Sequence, residues 1–140
     1  MNPQLISLAF KAEADALPEV AAQMKRYTGQ DTATHEPPSL TLHTEVDKLY
    51  AGRSGFFRVL LIVQSMQNNG GDHGARVELV RQSFVAAKAD RIAAINGRGA
   101  VVLQDYGLTA TKAEQVTADG ANRFRTTFTL KVAASLPPAV

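Results

Sequence analysis

Histidines and short polar clusters are the residues of this chain whose types could carry chemistry. His35, His43 and His73 are far apart in the sequence, and no histidine-rich metal motif is present. His43 and Glu45 would share one face of a strand and could approach a metal together. Two ligands do not make a metal site, so a solvated strand face is the better interpretation. We expect no metal and no other cofactor.

The sequence also contains no pattern typical of nucleophilic catalysis. Gly52-Arg53-Ser54-Gly55 departs from the spacing of a nucleophile elbow, and a strand rather than a helix is predicted to follow it. A hairpin turn is the better interpretation of these four residues. The absence of Cys excludes thiol catalysis, Cys-ligated metals and disulfides. We therefore predict that the protein is not an enzyme.

Residues 68–74, Asn-Asn-Gly-Gly-Asp-His-Gly, are the best local candidate for a ligand site. They precede a predicted helix, whose first N–H groups and dipole could hold an anion. The segment lacks the Lys-Ser/Thr of a P-loop and the spacing of a dinucleotide fingerprint. A turn that caps the helix is the simpler interpretation. An enzyme whose site forms between subunits, with this loop holding an anionic substrate, remains an alternative hypothesis.

Helices and one strand are predicted for the N-terminal third of the chain. Asn2 and Pro3 predict the start of a helix, which Pro18 should kink or restart, and a second piece should run from Pro18 to Tyr27. The polar segment Thr28 to Pro38 predicts a loop. Ser39 to Val46 alternates polar and apolar residues, which predicts a strand near a sheet edge with one wet face.

The remaining residues predict a central strand, a long helix and a hairpin. Phe56 to Met66 is apolar on both faces, as expected for a central strand. A helix capped by Asp72 should run to Ile95, and a strand should begin at Ala100 to Leu103. In the hairpin Leu108 to Ala134, a two-residue turn at Asp119-Gly120 would place Glu114 opposite Arg125.

This order, α-β-β-α-β-β, predicts an α+β fold with one mixed or antiparallel sheet and helices mainly on one face. The expected domain comprises residues 1–134, and residues 135–140 should form a short flexible tail. No stretch approaches the roughly 20 apolar residues of a membrane span, and the first residues lack signal-peptide features. We expect a soluble protein of intracellular origin with no membrane partner.

Charge is distributed unevenly along the 140 residues. Residues 1–50 contain four Lys/Arg and seven Asp/Glu, a net of −3, whereas residues 51–140 contain eleven and six, a net of +5, and the two sum to +2. Such polarity could steer copies together head to tail. A small nucleic-acid-binding module that uses the basic part is an alternative, although no dense cationic stripe is present.

The layout resembles the tail terminator, or tail-completion, proteins of long-tailed bacteriophages. The resemblance covers most of the chain and lies in the order of parts: an N-terminal helix, a polar Pro-containing stretch, a half-wet strand, a long apolar strand, a main helix and a C-terminal hairpin. It includes no invariant motif. It implies a virion protein of the tail or neck, assembled in the host cytoplasm, with a structural rather than a catalytic role.

In such proteins a homo-hexameric ring caps the head-proximal end of the tail tube, ends tube polymerisation and joins the tail to the head connector. The implied partners are copies of the chain, the tail tube protein and the connector protein, with DNA passing through the lumen without specific binding. Another head–tail neck or adaptor protein is an alternative. The candidate residues for subunit or partner contacts are Arg53, Arg58, Asn68, Asn69, Asp72, His73, Arg76, Arg81, Lys88 and Arg98.

Overall fold

A five-stranded mixed sheet with helices on one face forms the α+β fold in the computed structural model, which describes residues 2–50, 52–66, 70–118 and 120–137. The elements in chain order are α1 (Pro3–Ala16), α2 (Pro18–Gln23), β1 (Lys25–Thr28), a 3₁₀ turn (Thr32–Thr34), β2 (Ser39–Tyr50), β3 (Ser54–Met66), α3 (Gly70–Val80), a π-helical segment (Arg81–Ala86), α4 (Lys88–Gly97), β4 (Val102–Ala118) and β5 (Ala121–Ser135). The predicted fold class is confirmed.

The first helix begins as its sequence predicts. The Asn2 side chain accepts a hydrogen bond from the Gln4 backbone N–H at 2.9 Å, and Pro3 occupies the first turn. Leu17 is extended, and the chain restarts as α2 at Pro18. The predicted interruption at Pro18 is therefore confirmed.

The predicted helix from Pro18 to Tyr27 is wrong beyond Gln23, because Lys25–Thr28 forms the edge strand β1, parallel to β2. Tertiary contacts outweigh helix propensity here. The Arg26 guanidinium binds the carbonyl oxygens of Ala21 and Met24, and the Tyr27 ring stacks on His35 with centroids 4.4 Å apart. The same pairing places β2 one strand in from the edge, in agreement with its predicted position near a sheet edge.

The strand order is β1-β2-β3-β5-β4, so β3 is central, as predicted. Partners across the ladders share a face: Leu42, Leu61 and Phe128 lie on the helix-covered face, and Thr41, Ile62 and Thr127 lie on the opposite face. The expectation that β2 has one wet face is wrong for its first half. Ser39 and Thr41 are fully buried, because residues 29–38 fold over the opposite face there.

The long helix predicted from Asp72 to Ile95 is divided in the structure. It begins at Gly70, so Asp72 lies in its first turn instead of capping it, and a π-helical segment separates α3 from α4. Ala87 ends that segment by donating from its N–H to the Gln82 carbonyl oxygen. The Tyr106 hydroxyl donates to the Phe84 carbonyl oxygen at 2.5 Å. Phe84 and Ile95 both reach the core across the irregularity.

The C-terminal hairpin has the predicted register. Ala118 pairs with Ala121, and Glu114 lies opposite Arg125; Asp119 of the predicted turn lies outside the described residues. The strand predicted to begin at Ala100 to Leu103 begins at Val102 and continues to Ala118 as the first strand of the hairpin. The ladder between β4 and β5 contains two register shifts, one between Leu103 and Asp105 and one between Leu108 and Ala110. The two strands remain paired after each shift.

Helices and strands meet in one buried cluster that leaves part of α1 outside. Ile6, Phe10 and Ala14 are fully buried against the sheet, whereas Leu5 and Leu8 are exposed by 36% and 48%. The apolar residues of α1 therefore cover two faces, of which only one belongs to the core. The outward face is available for contacts with other molecules.

Candidate functional site

The predicted contact residues do not meet in one site. Arg58, Arg81, Lys88 and Arg98 each bind a carboxylate of this chain, at distances between 2.6 and 3.1 Å. Two hydrogen bonds from the Arg81 guanidinium lower the pKa of the Glu78 carboxyl to about 2. These cations lie on β3, in the π-helical segment, at the start of α4 and directly after its end, and each is paired within the chain.

Arg53 connects the β2–β3 turn to the end of the chain. Its carbonyl oxygen accepts from the Leu136 N–H at 2.8 Å, and its guanidinium donates to the Pro137 carbonyl oxygen at 2.5 Å. The predicted tail therefore includes two residues that bind Arg53, and its last three residues, 138–140, lie outside the described part of the chain.

His73, predicted as a subunit or partner contact, faces inward and is buried. Its Nδ1 lies 2.8 Å from the Ser65 Oγ and its Nε2 lies 2.9 Å from the Thr126 Oγ1. Arg76 also donates to Ser65, at 3.1 Å. Helix α3 packs on β3 and β5, which turns this side chain toward the sheet. Asp72 is exposed, and Asn68 and Asn69 lie outside the described residues.

A serine close to a histidine invites comparison with a nucleophile and its base. Ser65 is fully buried and its hydroxyl accepts from Arg76, so this hydroxyl is not placed as an accessible nucleophile. The polar cluster instead holds α3 on the sheet. His43 and Glu45 share a face as predicted, with 3.9 Å between Nε2 and Oε1, but the described residues contain no group of three or more potential metal ligands.

The two buried histidines predict a pH dependence of stability. Burial lowers the pKa of His35, an effect that the charge of Asp31 opposes and that of Arg123 increases, and burial lowers the pKa of His73, with a further contribution from Arg76. The unfolded chain therefore binds these protons at higher pH than the folded chain does. Their contribution to stability is complete above about pH 6.5 and is lost as the pH falls.

We expect the free energy of unfolding to decrease between about pH 7 and pH 5, a range in which histidines titrate. The measurement is urea unfolding across this range for the parent, His35→Gln, His73→Gln and the double variant. Each single variant should remove part of the slope, and the double variant should remove most of it. A double variant that retains the full slope contradicts this assignment.

Part of the charge polarity along the sequence is cancelled by ion pairs that the fold creates. Glu13 of α1 is 2% exposed and binds Arg91 and Arg98, with N–O distances of 2.9 and 2.8 Å. Glu45 of β2 binds Arg58 of β3 at 3.0 Å. Glu13 and Glu45 thus bind basic residues of the remaining 90 positions, because α1 and β2 pack against later elements, whereas Asp15 and Glu36 bind basic residues of their own part of the chain. The sequence pattern did not single out Glu13, because nothing about its position in α1 indicates that its side chain is buried.

Residues 29–38, here called the strap, are held by a polar cluster that sequence patterning also missed. The Thr32 carbonyl oxygen accepts from Gln64 at 3.0 Å and from Arg123 at 3.2 Å, and Arg123 also donates to the His35 carbonyl oxygen at 3.0 Å. Arg125 donates to the Thr32 Oγ1 at 2.8 Å. The alternation of β5 places Arg123 and Arg125 on the face away from the helices, but only the fold shows that the strap covers them.

The end of the β2–β3 hairpin exposes aromatic and aliphatic side chains. Tyr50 and Phe56 meet edge to face, with ring centroids 5.9 Å apart, and the ammonium groups of Lys48 and Lys131 lie over the two rings at 5.1 Å each. Leu49 is 46% exposed on the other side of the same hairpin. We call these five residues the hairpin-tip patch. Aromatic side chains are enriched at the contact surfaces of proteins.

A second apolar surface lies between α1 and α4. Here a groove of about 180 Å³ is lined mainly by small and aliphatic side chains: Leu5, Leu8, Ala9, Ala12, Ile95, Arg98 and Ala100. We call it the helix groove. The Glu13 carboxylate binds the Arg98 guanidinium and thereby orients it. Arg98 forms the charged edge of this otherwise apolar groove. The chain thus carries two different exposed apolar surfaces, formed by different elements.

Comparisons with known proteins show a likeness of fold. No family model matches the sequence, and no curated protein sequence matches it. A chain from a solved structure described as "Virion of native gene transfer agent (GTA) particle" is similar with a TM-score of 0.60 and 15% sequence identity, over 94% of this chain and 93% of that chain. No helix in the described residues is long and apolar enough to cross a membrane.

Proposed function

We propose that this protein is a virion structural protein that forms a homo-hexameric ring on the head-proximal end of a tail tube. There it ends tube polymerisation and joins the tail to the head connector. The likeness in fold to a chain of a gene transfer agent virion supports a role in a virus-like particle. The resemblance of the sequence to tail terminators supports the place of that role in the tail.

The observation that carries the ring is the presence of two unlike apolar surfaces on one small chain. The hairpin-tip patch and the helix groove are formed by different elements. A head-to-tail ring needs two different surfaces on each subunit, and each subunit then repeats the same contact with its neighbour. In this proposal the patch of one copy contacts the groove of the next, and Arg53 and Arg98 lie beside the contact.

Substitutions in the two surfaces test the ring. Leu8→Asp and Leu49→Asp should each abolish rings in mass photometry of the protein with tail tube, because a carboxylate in an apolar contact is costly to desolvate. The exposed Gln23→Asp, on α2, should leave assembly unchanged. Circular dichroism verifies that all three variants fold.

A mixture of the two defective variants sharpens the test. Each has one intact surface, so one subunit of each variant can join through a single patch-to-groove contact, but the mixture should not close into rings. Rings formed by either variant alone would contradict these surfaces as the contact. A parent protein that stays monomeric and does not bind tube ends would contradict the ring itself.

Nucleic-acid binding has less support in the structure. Four of the predicted basic contact residues bind carboxylates of the chain, which leaves no dense cationic stripe in the described part of the molecule. Filter binding at low salt is the direct measurement, and we expect no retention of DNA by the free protein.

A further inference from the structure

The outer edge of β4 has no strand beside it among the described residues. The sheet ends at β4, which pairs with β5 along its inner edge. Its last register shift lies between Leu108 and Ala110, so the pairing from Ala110 to Ala118 is regular. The backbone N–H and C=O groups that point outward from such an edge can pair with another strand.

Proteins usually protect a long free edge with bulges, prolines or charges. In β4 the two register shifts protect the first half, but the regular segment from Ala110 to Val116 contains no bulge and no Pro. Its side chains are exposed or half-buried throughout. Two charged residues, Lys112 and Glu114, are the features there that could prevent or specify pairing.

The order of these two charges makes the edge complementary to itself. When two copies of the segment run antiparallel about a two-fold axis at Ala113, each Lys112 lies directly opposite Glu114 of the partner subunit. Centring the pair on Lys112 or on Glu114 instead places like charges opposite each other. Opposite charges at paired positions stabilise a ladder and like charges destabilise it, so the sequence selects the register centred on Ala113.

The existing contacts leave these charges free to turn toward a partner. Lys112 is 74% exposed, and its ammonium lies 3.5 Å from the carboxylate of Glu114 in its own chain. The same carboxylate is 3.8 Å from Arg125 on β5. Arg125 can therefore keep Glu114 in place on the sheet while Lys112 exchanges its own Glu114 for that of the partner.

We propose that two copies of this chain pair antiparallel along the β4 edge about a two-fold axis at Ala113. The contact joins the two five-stranded sheets into one continuous sheet. In this register Thr111 lies opposite Gln115 of the partner subunit, and Ala110 lies opposite Val116 of the partner subunit. A two-fold contact closes on itself, so it is separate from the head-to-tail contact of a ring and uses none of its residues.

Disulfide cross-linking tests the register, because the chain has no Cys of its own. Ala113→Cys places two thiols opposite each other, where strand pairing brings Cα atoms to about 4.5–5.5 Å, within the range of a disulfide. Under mild oxidation this variant should form a covalent dimer. Ala110→Cys should not, because its thiols would lie roughly 20 Å apart in the same register.

The exposed Ala89→Cys on α4 measures random collision. Dimer formation by Ala113→Cys that is at least tenfold faster than by both controls supports the pairing. Equal rates for the three variants, or a faster reaction of Ala110→Cys, overturn it.

Charge exchange tests the pairing without a thiol. In sedimentation equilibrium the parent should dimerise, and Lys112→Glu or Glu114→Lys should weaken the dimer about tenfold or more, since each variant creates two like-charge pairs. The double variant Lys112→Glu with Glu114→Lys restores opposite charges and should recover the dimer. A parent that remains monomeric at all concentrations, or a double variant as weak as the single variants, overturns the proposal.

Discussion

Glu13→Gln is expected to lower the free energy of unfolding by about 3 kcal/mol, the low end for a broken buried ion pair. The Glu13 carboxylate is 3% exposed and lies between Arg91 and Arg98. The amide keeps the volume but removes the negative charge, which leaves the Arg91 guanidinium, 16% exposed, without its counter-ion. Arg98 is 38% exposed and can turn to solvent, so it contributes less to the loss.

Chemical unfolding followed by circular dichroism measures this change, with Glu19→Gln as the matched control. Glu19 lies in the first turn of α2 and is exposed, so its substitution should change stability by less than about 0.5 kcal/mol. Adding Arg91→Gln to Glu13→Gln removes the uncompensated cation and should recover part of the loss. Equal stability of the Glu13 and Glu19 variants would show that the buried cluster does not stabilise the fold.

Gly55→Ala should destabilise the protein by about 1–3 kcal/mol, the range for forcing an extra methyl group into a packed position. Gly55 pairs with Leu49 next to the register shift between Val46 and Lys48. A Cβ at this position would collide with the Lys48 carbonyl oxygen and would lie 3.2 Å from the Leu49 side chain. The backbone of the hairpin end must move to admit the methyl group, which should also weaken any contact through the hairpin-tip patch.

Gly74→Ala, in contrast, is expected to stabilise the protein. Gly74 lies in α3 with open space where a Cβ would be added, so Ala should raise stability by about 0.5–1 kcal/mol through helix propensity. Thermal and urea unfolding of the two variants side by side separate a steric effect from a general effect of Gly→Ala. A Gly55→Ala protein as stable as the parent would mean that the backbone of the hairpin end can move to admit the methyl group without a loss of stability.

Local patterns in the sequence were sufficient where the relevant contacts are close along the chain. The Asn2 cap, the restart at Pro18 and the apolar central strand each depend on neighbouring residues, and the structure contains all three. The register of Glu114 and Arg125 also followed from sequence, because a two-residue turn determines every pair of a hairpin behind it.

Patterns failed where the partner of a segment lies far away in the sequence. Lys25–Thr28 is a strand because β2 accepts it as a parallel neighbour, although its own residues favour the end of a helix. The polar strap became ordered because Gln64 and Arg123, 32 and 91 positions from Thr32, donate to its carbonyl oxygen. The hydrophobic periodicity of a single segment does not show which distant residues will contact it.

The contact surfaces show the same division. Basic residues were predicted as subunit or partner contacts, but packing directs His73 into the sheet and pairs Arg58, Arg81, Lys88 and Arg98 with carboxylates of the chain. The hairpin-tip patch and the helix groove arise from apolar residues that the sequence assigns to helices and strands without showing which of them stay outside the core.

By itself, the sequence of this protein determined an α+β fold, a central apolar strand and a C-terminal hairpin in one register. These follow from residue types and short spacings. Only the tertiary structure decided that the strap covers one face, that Glu13 is buried between two arginines and that two apolar surfaces remain open. Each of these depends on elements brought together from distant parts of the chain, and their packing decides which side chains water can reach.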